Sequence, residues 1–147
     1  MITLRSIDKT NWQACIELKP KEGQEGFVAS NLYSLAESHF HGYVCKSIYK
    51  DEDMIGFVMY GIDADDGNYW IGRFMIEGDR QGHGYGSEAL QLVMEEIRQM
   101  KDRSAVLKLG YNPENHAAGK LYARAGFVEE GIAPWGEMVA SYSFDDQ

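Results

Sequence analysis

Arg80-Gln81-Gly82-His83-Gly84-Tyr85-Gly86-Ser87 stands between the apolar segment Tyr69-Trp70-Ile71-Gly72-Arg73-Phe74-Met75-Ile76 and a helical pattern that runs from Ser87 to Met100. Glycines at alternate positions leave bare backbone, so successive N–H groups can converge on an anion. The start of a helix adds the positive end of its dipole to the same place. The same run also suits an ordinary strand-to-helix connection, where glycine supplies backbone geometry alone. No Gly-Lys-Ser/Thr closes the turn, which excludes the P-loop of nucleoside triphosphatases. The G-x-G-x-G spacing is not the G-x-G-x-x-G of dinucleotide binders, and no repeated βαβ units surround it.

A chain of 147 residues has the length of one domain and can bury a core without disulfides or metal staples. Its net charge of −9 argues against a nucleic-acid partner, because phosphate backbones need basic surfaces. The same charge suits a cationic small molecule, and equally serves solubility. The start, Met1-Ile2-Thr3-Leu4-Arg5, turns polar at once, and no apolar run is long enough to span a bilayer. Neither a secretory leader nor a membrane anchor is expected. Cys15 and Cys45 lack metal-ligand spacing, so a reduced, cytoplasmic protein is expected. His39 and His41 stand two apart with no further ligands at helical spacing, and no metal is expected.

The periodicity predicts a strand over Ile2–Ile7, then a helix with Trp12, Cys15 and Ile16 on one face. A second helix is expected from Val28 to Phe40, with Val28, Leu32, Leu35, Ala36 and Phe40 on its stripe. Strands follow at Tyr43–Tyr49, Met54–Ile62 and Tyr69–Ile76, the first two joined as a hairpin through Lys50-Asp51-Glu52-Asp53. After the glycine turn, Ala89, Leu90, Val93, Met94, Ile97 and Met100 keep helical spacing, and Ala105–Leu109 is a short strand. Pro113 and Glu114 open a last helix that Gly126 stops. Phe127-Val128 and Met138–Phe144 close the chain as strands. This order predicts an α/β (α+β) domain around one mixed, mostly antiparallel sheet.

The second informative stretch is Asn112-Pro113-Glu114-Asn115-His116-Ala117-Ala118-Gly119-Lys120-Leu121-Tyr122-Ala123-Arg124-Ala125-Gly126-Phe127. Gln81-x-x-Gly84-x-Gly86 together with Asn115-x-x-Ala118 and Leu121-Tyr122-x-x-x-Gly126-Phe127 resembles the acetyl-CoA signature and C-terminal motif of the Gcn5-related N-acetyltransferase (GNAT) superfamily. The resemblance implies one such domain over residues 1–147, with six or seven strands flanked by four helices, and acetyl-CoA as co-substrate. Within that superfamily, Trp12-x-Ala14-Cys15-Ile16-Glu17-Leu18 and Gly26-Phe27-Val28-Ala29-Ser30-Asn31-x-Tyr33-Ser34-Leu35-Ala36-Glu37 resemble the bacterial spermine/spermidine N-acetyltransferases. This points to acetyl transfer to a primary amine of a polyamine. Another acceptor (an aminoglycoside, an amino acid or a protein amino group) and a non-catalytic acetyl-CoA or polyamine sensor remain alternatives. Superfamily members are often dimers, so a homodimer is among the expectations.

Residue roles follow from the resemblance. The backbone of Met75 and Ile76 would bond the pantetheine arm where the fourth and fifth strands splay apart, and the N–H groups of Gln81, Gly82, His83, Gly84, Tyr85, Gly86 and Ser87 would cradle the pyrophosphate. Asn115 would bond the pantetheine, or simply cap its helix. Lys120 would reach the phosphate end, or stand as an exposed helix lysine. Tyr122 would hydrogen-bond or protonate the departing thiolate, or serve as a half-buried aromatic. An alkylamine with a pKa near 10 must also lose a proton before attack. Some related polyamine enzymes carry a glutamate in the fourth strand, where this chain has Gly72 or Arg73. Glu77 is a possible substitute, or a solvent-facing turn residue. Glu17, Glu25 and Glu37 are candidates to line an acceptor pocket and pair with ammonium groups.

Overall fold

The computed structural model describes residues 1–27 and 29–145. Strand β1 (Ile2–Ser6) leads through helices α1 (Trp12–Glu17) and α2 (Asn31–His41) to β2 (Val44–Lys50), β3 (Asp53–Ile62) and β4 (Tyr69–Ile76). Helix α3 (Tyr85–Arg98), β5 (Val106–Tyr111), α4 (His116–Arg124), β6 (Val128–Ile132) and β7 (Met138–Ser143) complete the chain. The strands form one sheet in the order β1-β2-β3-β4-β5-β7-β6, antiparallel at every step except β4–β5. The expected α/β class, mixed sheet and order of elements are all present.

The middle strand is apolar on both faces because both are covered. Ile55, Val58 and Tyr60 of β3 pack with Ile71 of β4, Leu107 and Leu109 of β5, and the stripe Ala89, Leu90, Val93, Met94 and Ile97 of α3. On the other face, Phe57 and Met59 meet Met75 of β4, Cys15 of α1 and Leu18. Fully burying a side chain of the Leu90 or Ile97 type contributes about 2 kcal/mol, so the α3 stripe is a main fastening of the sheet.

Helix α2 departs from the pattern read in the sequence. It starts at Asn31 rather than Val28, because Ser30 Oγ accepts from the Tyr33 N–H at 3.1 Å and sets the cap. Val28 itself lies outside the described residues. Leu32 and Phe40, expected on the buried stripe, are 57% and 83% exposed, and Ala36 is exposed as well. The inward face carries Asn31 and Ser34 beside Leu35. Asn31 Nδ2 donates to the Cys15 carbonyl at 2.8 Å, and Ser34 Oγ donates to the Ser30 carbonyl at 3.0 Å. Small polar groups that find backbone partners can be buried cheaply, and an apolar count does not register them. Trp12 of α1 is likewise on the exposed side, with Cys15 inward.

One irregularity positions the site. Parallel pairing of β4 with β5 covers only Tyr69–Leu107, Trp70–Lys108 and Ile71–Leu109. Beyond it the strands part. Gly72 is an extra residue in β4 opposite β3, since Met59 pairs with Arg73 and Tyr60 with Ile71. Such a bulge bends its strand away from the neighbour. The gap therefore opens at the carboxyl ends of the two parallel strands, where open α/β sheets place ligands.

Candidate active site

The glycine turn and α4 wall a groove of about 260 Å³. Gly82 and Gly84 adopt φ of 87° and 82°, a region open to glycine but strained for other residues, and Gly84 is the N-cap of α3. A side chain at either would meet no neighbour, so conformation and an open backbone face, not crowding, call for glycine there. Gln81 pins the turn: its Nε2 donates to the Ile76 carbonyl at 2.9 Å and to Gln24 Oε1 at 3.0 Å. Gln81, Gly82, Gly84, Gly86 and Ser87 line the groove together with Met75 and Ile76. His83 and Tyr85 do not, and their rings sit together 5.4 Å apart. Both thus enter the turn through backbone. The first N–H groups of α3 have no partner within the helix, and its first-turn residues Gly86 and Ser87 border the groove.

Asn115 caps its helix and also lies on the groove. Its Oδ1 accepts from the Ala118 N–H at 3.2 Å as the cap of α4, and it borders the groove. That leaves its Nδ2 as the group available to a ligand. Arg124 lines the groove where Lys120, one turn earlier, does not. The sequence reading missed Arg124. Its place in the last turn of α4, beside the Leu121 and Tyr122 positions of the motif, was the available signal.

Tyr122 stands on the wall shared by this groove and a cleft of about 470 Å³ in the β4–β5 gap. It is only 7% exposed, with its ring 5.5 Å from Tyr111 and 6.0 Å from Phe127. Burial pushes its phenol pKa above the ordinary value of 10.0, with further upward pushes from Tyr111 and Glu137. The hydroxyl therefore stays protonated at neutral pH and is an O–H donor.

Beyond Tyr122, the cleft shares Ile71, Gly72, Arg73, Gly110 and Glu137 with a smaller cavity of about 190 Å³, also bordered by Glu37, Asp63, Tyr43, Trp70 and Trp135. Glu37 Oε1 pairs with Arg73 Nη2 at 3.2 Å, and Arg73 Nη1 donates to the Gly72 carbonyl at 2.7 Å. Arg73 Nε is buried without a partner. Trp135 Nε1 donates to Glu137 Oε1 at 2.8 Å. Three carboxylates against one guanidinium give this end of the cleft an acidic balance.

Of the three glutamates expected at an acceptor pocket, only Glu37 borders the cleft. Glu25 lines a separate small hollow and accepts from the Gly23 N–H at 2.9 Å. Glu17 and Glu77 edge another hollow with Lys19, Lys21 and Asp79. Glu77 precedes the short 3-10 turn Gly78–Arg80, and its N–H donates to the Ile55 carbonyl at 2.7 Å. The structure does not bring it to Tyr122. Absent from the sequence reading, Glu137 is brought to the cavity that Tyr122 borders by the β6–β7 connection, and Asp63 to the smaller cavity by the β3–β4 connection. Among the described residues, no group of three or more His, Cys, Asp or Glu is placed to hold a metal ion. No helix of the described residues is long and apolar enough to cross a membrane.

Comparison with known proteins agrees with this fold. The spermine/spermidine N(1)-acetyltransferase of Bacillus subtilis (strain 168) is 26% identical over 137 residues, 88% of this chain and 90% of that protein. Among solved structures, an aminoglycoside acetyltransferase in complex with coenzyme A and kanamycin superposes with a TM-score of 0.81 at 16% identity, covering 99% of this chain and 96% of that one. The PaiA N-acetyltransferase of Thermoplasma acidophilum, in complex with coenzyme A, gives 0.71 at 16% identity over 98% and 99%. The model of the acetyltransferase (GNAT) family matches residues 5–127, and the chain belongs to that family.

Proposed function

We propose that the protein transfers the acetyl group of acetyl-CoA to a primary amine of a polyamine such as spermidine or spermine, by direct attack of the amine. The observation that carries the reading is the position of Tyr122, a protonated phenol on the wall common to groove and cleft. The residues present fit a CoA donor. Open glycine backbone and the start of α3 suit the pyrophosphate, Arg124 suits a phosphate, and Asn115 Nδ2 with the freed edge of β4 suits the amide-bearing arm. Bound there, acetyl-CoA supplies a thioester carbonyl to the amine.

Tyr122 then assists the departure of sulfur. A phenol whose pKa stands above 10.0 is a weaker acid than a thiol near 8.5, so outright proton transfer to the thiolate is uphill. A hydrogen bond that strengthens as charge grows on sulfur is the favourable contribution. The acceptor end supports a cation, with Glu37, Asp63 and Glu137 set against Arg73 and with the aromatic side chains Tyr43, Tyr60, Trp70 and Trp135 on its border. The relative from Bacillus subtilis, named for spermine and spermidine, supports the same acceptor class.

Thiol release from acetyl-CoA against a panel of amines tests the reading. Turnover of spermidine and spermine is expected. Turnover restricted to other amines would replace the acceptor, and CoA binding with no turnover would point to a sensor. One observation favours a second acceptor class. The unpartnered Arg73 Nε would suit an amine that also bears a carboxylate, such as an amino acid, and the panel includes one.

A further inference from the structure

Glu137 has no part in the sequence reading, yet it stands where β4 and β5 separate. It borders both cavities of the cleft, and Tyr122 borders the larger of them. Its side chain lies over Gly110, the first residue of β5 beyond the pairing with β4. A Cβ at residue 110 would fall 2.9 Å from Glu137 Oε1 and 3.4 Å from its Cδ. Any larger residue there would displace the carboxylate. Trp135, two residues earlier in the β6–β7 connection, fixes Oε1 through its indole N–H at 2.8 Å. This fixes one oxygen and leaves Oε2 for a ligand.

We infer that Glu137 receives the ammonium group of the acceptor and takes its proton, with Trp135 positioning the carboxylate and Gly110 providing its room. The inference rests on the acetyltransferase reading and names the residue that prepares the nucleophile. The surrounding charges permit it. Arg73 of β4 is engaged by Glu37 of α2, so it does not neutralise Glu137. Tyr122 of α4 and Tyr111 of β5 are both held neutral by burial, and Glu129 of β6 reaches Tyr111. Asp63, at the far end of the cleft, adds negative charge. That Glu137 is felt by the Tyr122 phenol agrees with the two facing one reaction space.

The step balances as follows. The ammonium gives one proton to Glu137 and becomes a neutral amine. Its lone pair attacks the thioester carbonyl carbon, a C–N bond forms, and the C–S bond breaks with its electron pair leaving on sulfur. The nitrogen loses a second proton, which ends on the sulfur that Tyr122 hydrogen-bonds. Glu137 returns its own proton to water at the cleft mouth, so acetylamide, free thiol and one proton are produced.

The test uses the whole protein as wild type, Glu137→Gln, Glu137→Asp and Gly110→Ala. Spermidine is titrated calorimetrically into each CoA-saturated protein, and steady-state turnover is followed from pH 6 to 10. Glu137→Gln keeps an oxygen for Trp135 but removes the charge. It is expected to weaken spermidine binding about tenfold. It should also lower kcat/KM for spermidine about a hundredfold with acetyl-CoA KM within about twofold. Its remaining activity should climb with pH more steeply than wild type, because the free amine must then come from solution. Glu137→Asp should recover part of the loss, and Gly110→Ala should reproduce it with the charge intact. Unchanged melting temperatures separate these effects from misfolding. Equal spermidine binding and turnover in wild type and Glu137→Gln would overturn the inference, as would a comparable loss in Glu77→Gln alone. If wild type acetylates no amine, the acetyltransferase reading fails, and the calorimetric arm still decides whether Glu137 holds an ammonium.

Discussion

The groove under the glycine turn and the cleft between β4 and β5 meet at Tyr122, but they are built in different ways. The groove is made mostly by two local segments, the end of β4 with the turn and helix start at Gln81–Ser87 and one helix at Asn115–Arg124, with Pro20 and Gln24 at its edge. Its chemistry is mostly backbone, and backbone sites need only glycine and a helix N-terminus. The cleft is made by single side chains from separate elements, with Glu37 from α2, Asp63 after β3, Arg73 from β4 and Glu137 before β7. A donor common to a family can be held by a repeated local device. An acceptor has to be recognised by charges that only the finished fold brings together.

The largest test of that division falls on the residue both regions share. Tyr122→Phe removes one hydroxyl from a packed ring and leaves its tilted and edge-on contacts with Tyr111 and Phe127. Turnover measured by thiol release is expected to fall about a hundredfold, the usual scale for losing an acid at the reacting atom. Acetyl-CoA affinity should stay within about twofold, because the groove holds its ligand mainly through backbone. Unchanged turnover would leave Tyr122 as a wall residue. A smaller effect is expected at the phosphate end. Arg124→Ala should raise acetyl-CoA KM roughly fivefold, while Lys120→Ala leaves it unchanged, since only Arg124 borders the groove. Equal effects would extend the groove over the next turn of α4.

The same division explains what could be read from the chain. The glycine turn, its helix, the capping Asn115 and the buried Tyr122 are local patterns with local causes, and the structure places them on one groove. The order of elements along the chain followed from alternation and turn residues, including Asp51 at φ 54° in the β2–β3 hairpin. The β4–β5 gap was legible only through the family resemblance, because its local cause is one extra residue at Gly72 that a strand pattern absorbs unnoticed. Glu137 was missed because its partner in space, Gly110, lies far away in sequence. Glu77 was considered because it lies close to the turn in sequence, yet the chain directs it to another hollow. On α2, an apolar stripe pointed to the wrong face because Asn31 and Ser34 found hydrogen bonds inside.

The acceptor side offers a third measurement. Glu37→Gln removes the partner of Arg73 at 3.2 Å and leaves an uncompensated guanidinium in the cleft. A repulsion of somewhat under 1 kcal/mol is reasonable for a pair that solvent partly screens, so spermidine KM should rise about threefold. The acetyl-CoA KM is expected to stay constant, since Glu37 borders only the distal cavity. A change in acetyl-CoA KM instead would mean that groove and cleft are not separable.

The smallest effect concerns the bed on which both regions rest. Cys15 of α1 is fully buried in one apolar cluster with Met75, which lines the groove. Burial, with a further push from Cys45, raises its thiol pKa from 9.0 to about 12, and burial with the Asp102 hydrogen bond raises Tyr69 from 10.0 to about 12. Between those limits the unfolded chain loses protons that the folded chain retains. Stability is therefore full below about pH 9 and declines as pH rises toward 12. Urea midpoints should be level from pH 7 to 8.5 and lower at pH 10.5, and Cys15→Val should flatten part of the decline. The thiol itself should resist disulfide reagents at neutral pH, which keeps the background of a thiol-release assay low. An unchanged midpoint at pH 10.5 would mean that Cys15 ionises in the folded protein. Met75, which lines the groove, would then rest beside a charged thiolate instead of a dry apolar contact.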